Sequence, residues 1–202
     1  MSRNGVMVWL SAALLVAASA RPAEPKRQLH VAVLALEPDL TVGHPSGRLA
    51  KEFARRLEAG GFRVTQLGVA QPLPAEEAIA QATVSRAAFV VAVEATGACS
   101  ALLVPPKVSE PSQHPTSSDQ SDLAALIKKT QEASRYKHSA AVAASLRGST
   151  SWCERSPNEV ETFVLRGAAA PVVVLRVTPA SLDSVARALP RALRSAFRDE
   201  RP

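Results

Sequence analysis

Two carboxylates placed just past buried apolar runs are the side chains best sited for chemistry in this sequence. Glu37 follows the run HVAVLAL at 30–36, and Glu94 follows AFVVAV at 88–93. Sheets built from such strands bind ligands outside their carboxyl ends, so these positions face any ligand. Of the four histidines, His30 opens a strand-like run, His114 lies in a Pro/Ser-rich stretch and His138 in a polar one. Each of these three reads as a solvated imidazole rather than a ligand. Cys99 and Cys153 form an even pair, which in an oxidising compartment is a disulfide and otherwise two buried thiols. Both readings stay open. No Ser-His-Asp, phosphate-loop or CxxC constellation is visible.

The elements that must position these residues alternate in type. Apolar runs at 30–36, 62–67, 88–93, 101–104, 161–165 and 172–177 read as strands, several of them covered on both faces. Ser46 is placed to cap a first helix in which Leu49, Phe53 and Leu57 share a face, and Gly60-Gly61 ends it. Pro74 suits the first position of a second helix, with Glu76 and Glu77 in its first turn. A third helix is expected over 122–134 with Leu123, Leu126 and Ile127 facing inward. The stretch 136–146 reads as weakly helical or irregular. Thr178-Pro179 opens a last helix carrying Leu182, Val185, Leu189 and Leu193, which Pro190 should kink or split. Residues 105–121 form a Pro/Ser-rich surface loop. The fold expected is α/β, a three-layer arrangement in which a mostly parallel sheet of about six strands is flanked by helices.

The first twenty residues have a different character. Arg3 precedes an apolar run from Val6 to Ala17, and Ala18-Ser19-Ala20 supplies a small-x-small cleavage site. This is the pattern of a signal peptide at 1–20, with 21–28 as linker and 29–200 as the mature domain, periplasmic or secreted. Membrane contact is then expected only through residues 1–20 before cleavage. Loss of Arg3 takes the net charge from +6 to about +5. That charge is spread along the chain, and Trp152 and Tyr136 alone offer stacking groups, so nucleic-acid binding is not supported.

The order of elements and three stretches carry a resemblance. LAKEFARRLEAGGFRVTQL at 49–67, EEAIAQATVSRAAFVVAVEAT at 76–96 and VETFVLRGAAAPVVVLRV at 160–177 resemble the scaffold of the zinc-dependent N-acetylmuramoyl-L-alanine amidases. These enzymes cut the amide joining peptide to muramic acid in peptidoglycan. The resemblance implies a site in which two His and one Glu hold zinc, while a second Glu takes a proton from the metal-bound water. Here the first-His turn reads Leu36-Glu37-Pro38-Asp39, the middle ligand falls near Val42 to His44, the second His is replaced by Glu94, and the catalytic Glu aligns with Arg176. A guanidinium accepts no proton in this pH range and repels a nearby cation.

The resemblance therefore implies an exported, catalytically inactive pseudo-amidase with no catalytic residue and no cofactor. Such a module would contact peptidoglycan or a cell-wall enzyme. Two alternatives remain. One is an active amidase whose metal ligands are rebuilt from Glu37, His44 and Glu94, with zinc as cofactor. The other is an exported α/β structural protein unrelated to peptidoglycan. Against a rebuilt site stands a simpler arrangement, in which Glu37 and Glu94 pair with Arg176.

Overall fold

The seven residues HVAVLAL form β1 (His30–Leu36), whose five central side chains are all buried. A strand apolar at every position needs cover on both faces, and β1 has it because it is flanked by parallel neighbours in a helix-covered sheet. The computed structural model describes residues 28–36, 45–70, 73–107, 120–154, 158–159, 164 and 167–198. Along the chain β1 is followed by α1 (Pro45–Ala59), β2 (Arg63–Leu67), α2 (Ala75–Val84), β3 (Phe89–Ala95) and β4 (Ala101–Val104). Then come α3 (Gln120–Leu146), a two-residue β5 (Asn158–Glu159), β6 (Val172–Val177) and α4 (Leu182–Ala196).

The sheet order is β2-β1-β3-β6-β4-β5. β2, β1, β3 and β6 run parallel, while β4 is antiparallel to β6 and carries β5 parallel to itself. One face buries Val31, Val33, Phe89, Val91, Val173 and Leu175 against α1, α3 and α4. The other buries Ala32, Leu34, Val90, Ala92, Val172 and Val174 against Ala78, Ile79 and Ala82 of α2 and against Val164 and Ala168. This is the mixed α/β, mostly parallel arrangement expected from the alternation of elements.

Several local expectations are corrected. α1 begins at Pro45, so Ser46 lies inside the helix, buried, and accepts a hydrogen bond from the Ala95 amide at 2.9 Å instead of capping. Proline at the first helical position explains the shift. The stretch 136–146 is not irregular: α3 continues through it, burying Ala133, Ser139, Val142, Ala143 and Leu146. Leu123 and Ile127 do not face inward but are each 50% exposed, and Leu126 is half-buried. A 27-residue helix is about 40 Å long, roughly twice a six-residue strand, so its first turns run past the sheet. The strand expected at 161–165 lies at Asn158–Glu159, and Val164 has helical backbone, its carbonyl accepting from the Ala168 amide. Pro190 does not split α4, which is continuous from Leu182; Thr178 and Pro179 precede it. The Pro190 ring sits against Gly60, where a Cβ would come within 3.1 Å of it.

The end of α1 follows its sequence closely. Gly61 takes φ +81°, and the amides of Gly61 and Phe62 reach back to the carbonyls of Glu58 and Leu57. That is the Schellman pattern, which needs a left-handed residue where glycine stands. Arg194 of α4 then donates to the Gly60 carbonyl and lies over the Phe62 ring.

Candidate functional site

The chain leaves β1 for β2 on one side, then returns past β1 to β3 on the other. The order therefore reverses between β1 and β3, and the crevice outside their carboxyl ends is where open α/β sheets bind ligands. Side chains in register there form one row across four strands: Leu36, Glu94, Arg176 and Ala101. The row continues the stripe of Ala32-Leu34, Val90-Ala92 and Val172-Val174 on the sheet face covered by α2, one step beyond the packed core.

Equal register in a parallel pair puts Glu94 and Arg176 side by side. Arg176 Nε donates to Glu94 Oε2 at 2.8 Å, with the Glu94 side chain 19% exposed and that of Arg176 45% exposed. Charge-assisted bonds of this kind are short and directional. Glu37 and His44 lie outside the described residues, as do His114 and residues 1–20. The structure thus brings Glu94 and Arg176 together and places no other sequence candidate beside them among the described residues.

These residues do not fit the zinc that the resemblance implies. A guanidinium has no lone pair to offer a metal, and it occupies the lone-pair side of the one carboxylate at the described centre. No group of three or more His, Cys, Asp or Glu able to hold an ion exists among the described residues.

The remaining candidates sit elsewhere. Cys99 and Cys153 are joined by a disulfide, Cα–Cα 5.5 Å, which ties the β3–β4 turn to the segment after α3. His30 pairs through Nε2 with Thr65 Oγ1 at 2.8 Å, and burial, helped by the nearby Arg63 charge, pushes its pKa below the ordinary 6.5. A weaker hydrogen bond to the Arg86 backbone opposes that shift. His138 on α3 bonds the Ser134 carbonyl and stacks on Phe197, ring centroids 4.7 Å apart.

Sequence reasoning missed a buried hydroxyl cluster beside the disulfide. Ser100 Oγ pairs with Ser181 Oγ and accepts from the Thr178 amide, and Thr178 Oγ1 lies 2.9 Å from Ser181 Oγ. The signal was present, since all three flank element ends, where hydroxyls satisfy unpaired backbone groups. A cavity of about 380 Å³ opens at the opposite, amino ends of β3 and β6, lined by Thr83, Arg86, Ala168 and Pro171 among others. It lies a strand length away from the Glu94 and Arg176 row.

No described helix is long and apolar enough to cross a membrane. No protein-family model and no curated protein matches the chain. Solved structures do. N-acetylmuramoyl-L-alanine amidase AmiC2 of Nostoc punctiforme superposes with TM-score 0.57 at 13% identity, covering 84% of this chain and 97% of that one. The N-acetylmuramoyl-L-alanine amidase of Clostridium difficile 630 gives TM-score 0.58 at 13% identity, over 87% and 99%. The amidase Ami1 of Mycobacterium smegmatis gives 0.56 at 15% identity, over 85% and 97%. At such identities the likeness is one of architecture: this chain has the fold of the N-acetylmuramoyl-L-alanine amidases over nearly the whole length of each.

Proposed function

We propose that this chain is an exported amidase-fold protein of the cell wall that binds without hydrolysing, a pseudo-amidase contacting peptidoglycan or a cell-wall enzyme. The observation that carries the reading is the Arg176–Glu94 ion pair at the carboxyl ends of β6 and β3. Metal-assisted amide hydrolysis needs an ion to acidify water and a carboxylate to take its proton. Arg176 stands where the resemblance puts that carboxylate, and it engages the neighbouring Glu94. The fold supports the cell-wall context through its neighbours, and the pattern of residues 1–20 supports export.

The test is a pull-down of the purified protein on insoluble peptidoglycan, with the supernatant analysed by mass spectrometry. Retention on the polymer with no released stem peptide is expected. Release of stem peptide, lost on changing Glu37 or Glu94, would instead favour an active amidase with rebuilt ligands.

A further inference from the structure

We propose that Arg176 is a carboxylate-recognition group, taking a peptide carboxylate in the crevice at the carboxyl ends of β3 and β6. The inference rests on the peptidoglycan reading and names the ligand chemistry at that same site. Among the described residues the guanidinium donates through Nε alone, to Glu94. Its two terminal nitrogens, Nη1 and Nη2, donate no hydrogen bond to a described residue, and the side chain is 45% exposed. On its other flank stands Ala101, in register on β4, with nothing beyond Cβ to cover the planar fork. That fork matches a carboxylate through two parallel N–H bonds.

Glu94 does two things here. Held at 19% exposure, it fixes the guanidinium through Nε, so little side-chain freedom is left to lose when a ligand arrives. Its negative charge also makes the pair neutral, which suits a planar monoanion better than a phosphate dianion placed beside a second carboxylate. Nothing in the architecture requires an arginine at 176. The position lies past the packed stripe of core side chains that ends at Val174.

The experiment is calorimetric titration of the protein with a muramyl pentapeptide bearing free carboxylates and with the same peptide fully amidated. It is repeated for Arg176→Gln, Arg176→Lys and Glu94→Gln, with thermal melts to confirm folding. Arg176→Gln should weaken the acidic peptide at least about tenfold, and amidation should do the same to the native protein. Arg176→Lys, which keeps the charge and loses the fork, should fall between the two and keeps the test valid if the Gln variant fails to fold. Glu94→Gln, whose amide oxygen still accepts from Nε and so keeps the guanidinium fixed, should tighten binding by about threefold, because it removes a competing anion. That opposite sign separates recognition from a merely structural ion pair, whose loss would weaken both variants alike. Equal affinity for the free and amidated peptides, or effective competition by inorganic phosphate, overturns the inference. If the protein is retained on insoluble peptidoglycan while Arg176 variants bind like the native chain, the inference falls and the pseudo-amidase reading stands. If neither polymer nor peptide is bound, both peptidoglycan contact and the inference fall.

Discussion

Replacing both cysteines with serine should destabilise this protein by about 4 kcal/mol. Cys99 and Cys153 are separated by 54 residues, a loop that takes in β4 and the whole of α3. In the chain-entropy model, freeing a loop of that length returns roughly 14 cal/mol/K to the unfolded state, hence the figure at 25 °C. Little is lost on the native side, because both cysteines are exposed and the double serine variant opens no core cavity. The backbone contacts at the same place are independent of the sulfurs: the Cys153 amide donates to the Ser100 carbonyl at 2.7 Å, and Trp152 Nε1 donates to the Leu146 carbonyl. Typical domains have about 5–15 kcal/mol in total, so the variant should stay folded with a much lower urea midpoint. With a slope of about 2 kcal/mol/M, that midpoint falls by about 2 M. Urea melts of the native and double-serine proteins, followed by circular dichroism, measure it. A loss under about 1 kcal/mol at unchanged slope would refute the reasoning, since the unfolded loop would then be gaining no freedom.

Two further expectations are independent of the site. Burial holds the His30 pKa below 6.5, so the folded state prefers the neutral ring; the stability this contributes is present above about pH 6.5 and is lost as pH falls through the lowered folded-state value. Melting temperature should accordingly decline below pH 6.5 more steeply for the native chain than for His30→Gln, and parallel profiles would dismiss the assignment. Gly61→Ala should cost about 1 kcal/mol from backbone strain alone, since φ is +81° and no atom lies within 4 Å of the added Cβ; a urea melt reads this directly, and an unchanged midpoint would count against the left-handed cap.

Which parts of this structure are legible in the sequence follows from how burial is distributed. β1, β3 and β6 are readable because strands covered on both faces must be apolar throughout, and α1 because Leu49, Phe53 and Leu57 fall on one face between a proline and a glycine pair. α3 is harder. Its buried residues beyond 133 are mostly small, Ala133, Ser139 and Ala143 with Val142 and Leu146, so they make no strong periodic stripe even though alanine favours helix. Its most conspicuous aliphatic residues, Leu123 and Ile127, are on turns that outrun the sheet, so apolar spacing there points to a core that is not present. The hydroxyl cluster of Ser100, Thr178 and Ser181 is half legible: each residue flanks an element end, where a hydroxyl is expected to bond backbone, but nothing in the sequence says that these three ends meet.

The candidate site is legible for a different reason, and the same reason explains how its chemistry can change while the fold persists. Strands β3 and β6 are locked in parallel register by Val90, Ala92, Val172 and Val174 on one face and by Val91, Val93, Val173 and Leu175 on the other. Once that register is set, residues 94 and 176 must be neighbours, whatever their identities. They also stand past the last fully packed row, where a side chain adds little to folding and an exposed ion pair contributes at most about 1 kcal/mol. A change of residue type at either position would therefore meet almost no resistance from the core. What it alters is the charge and hydrogen-bonding capacity at the mouth of the sheet, and that is the property a binding protein uses.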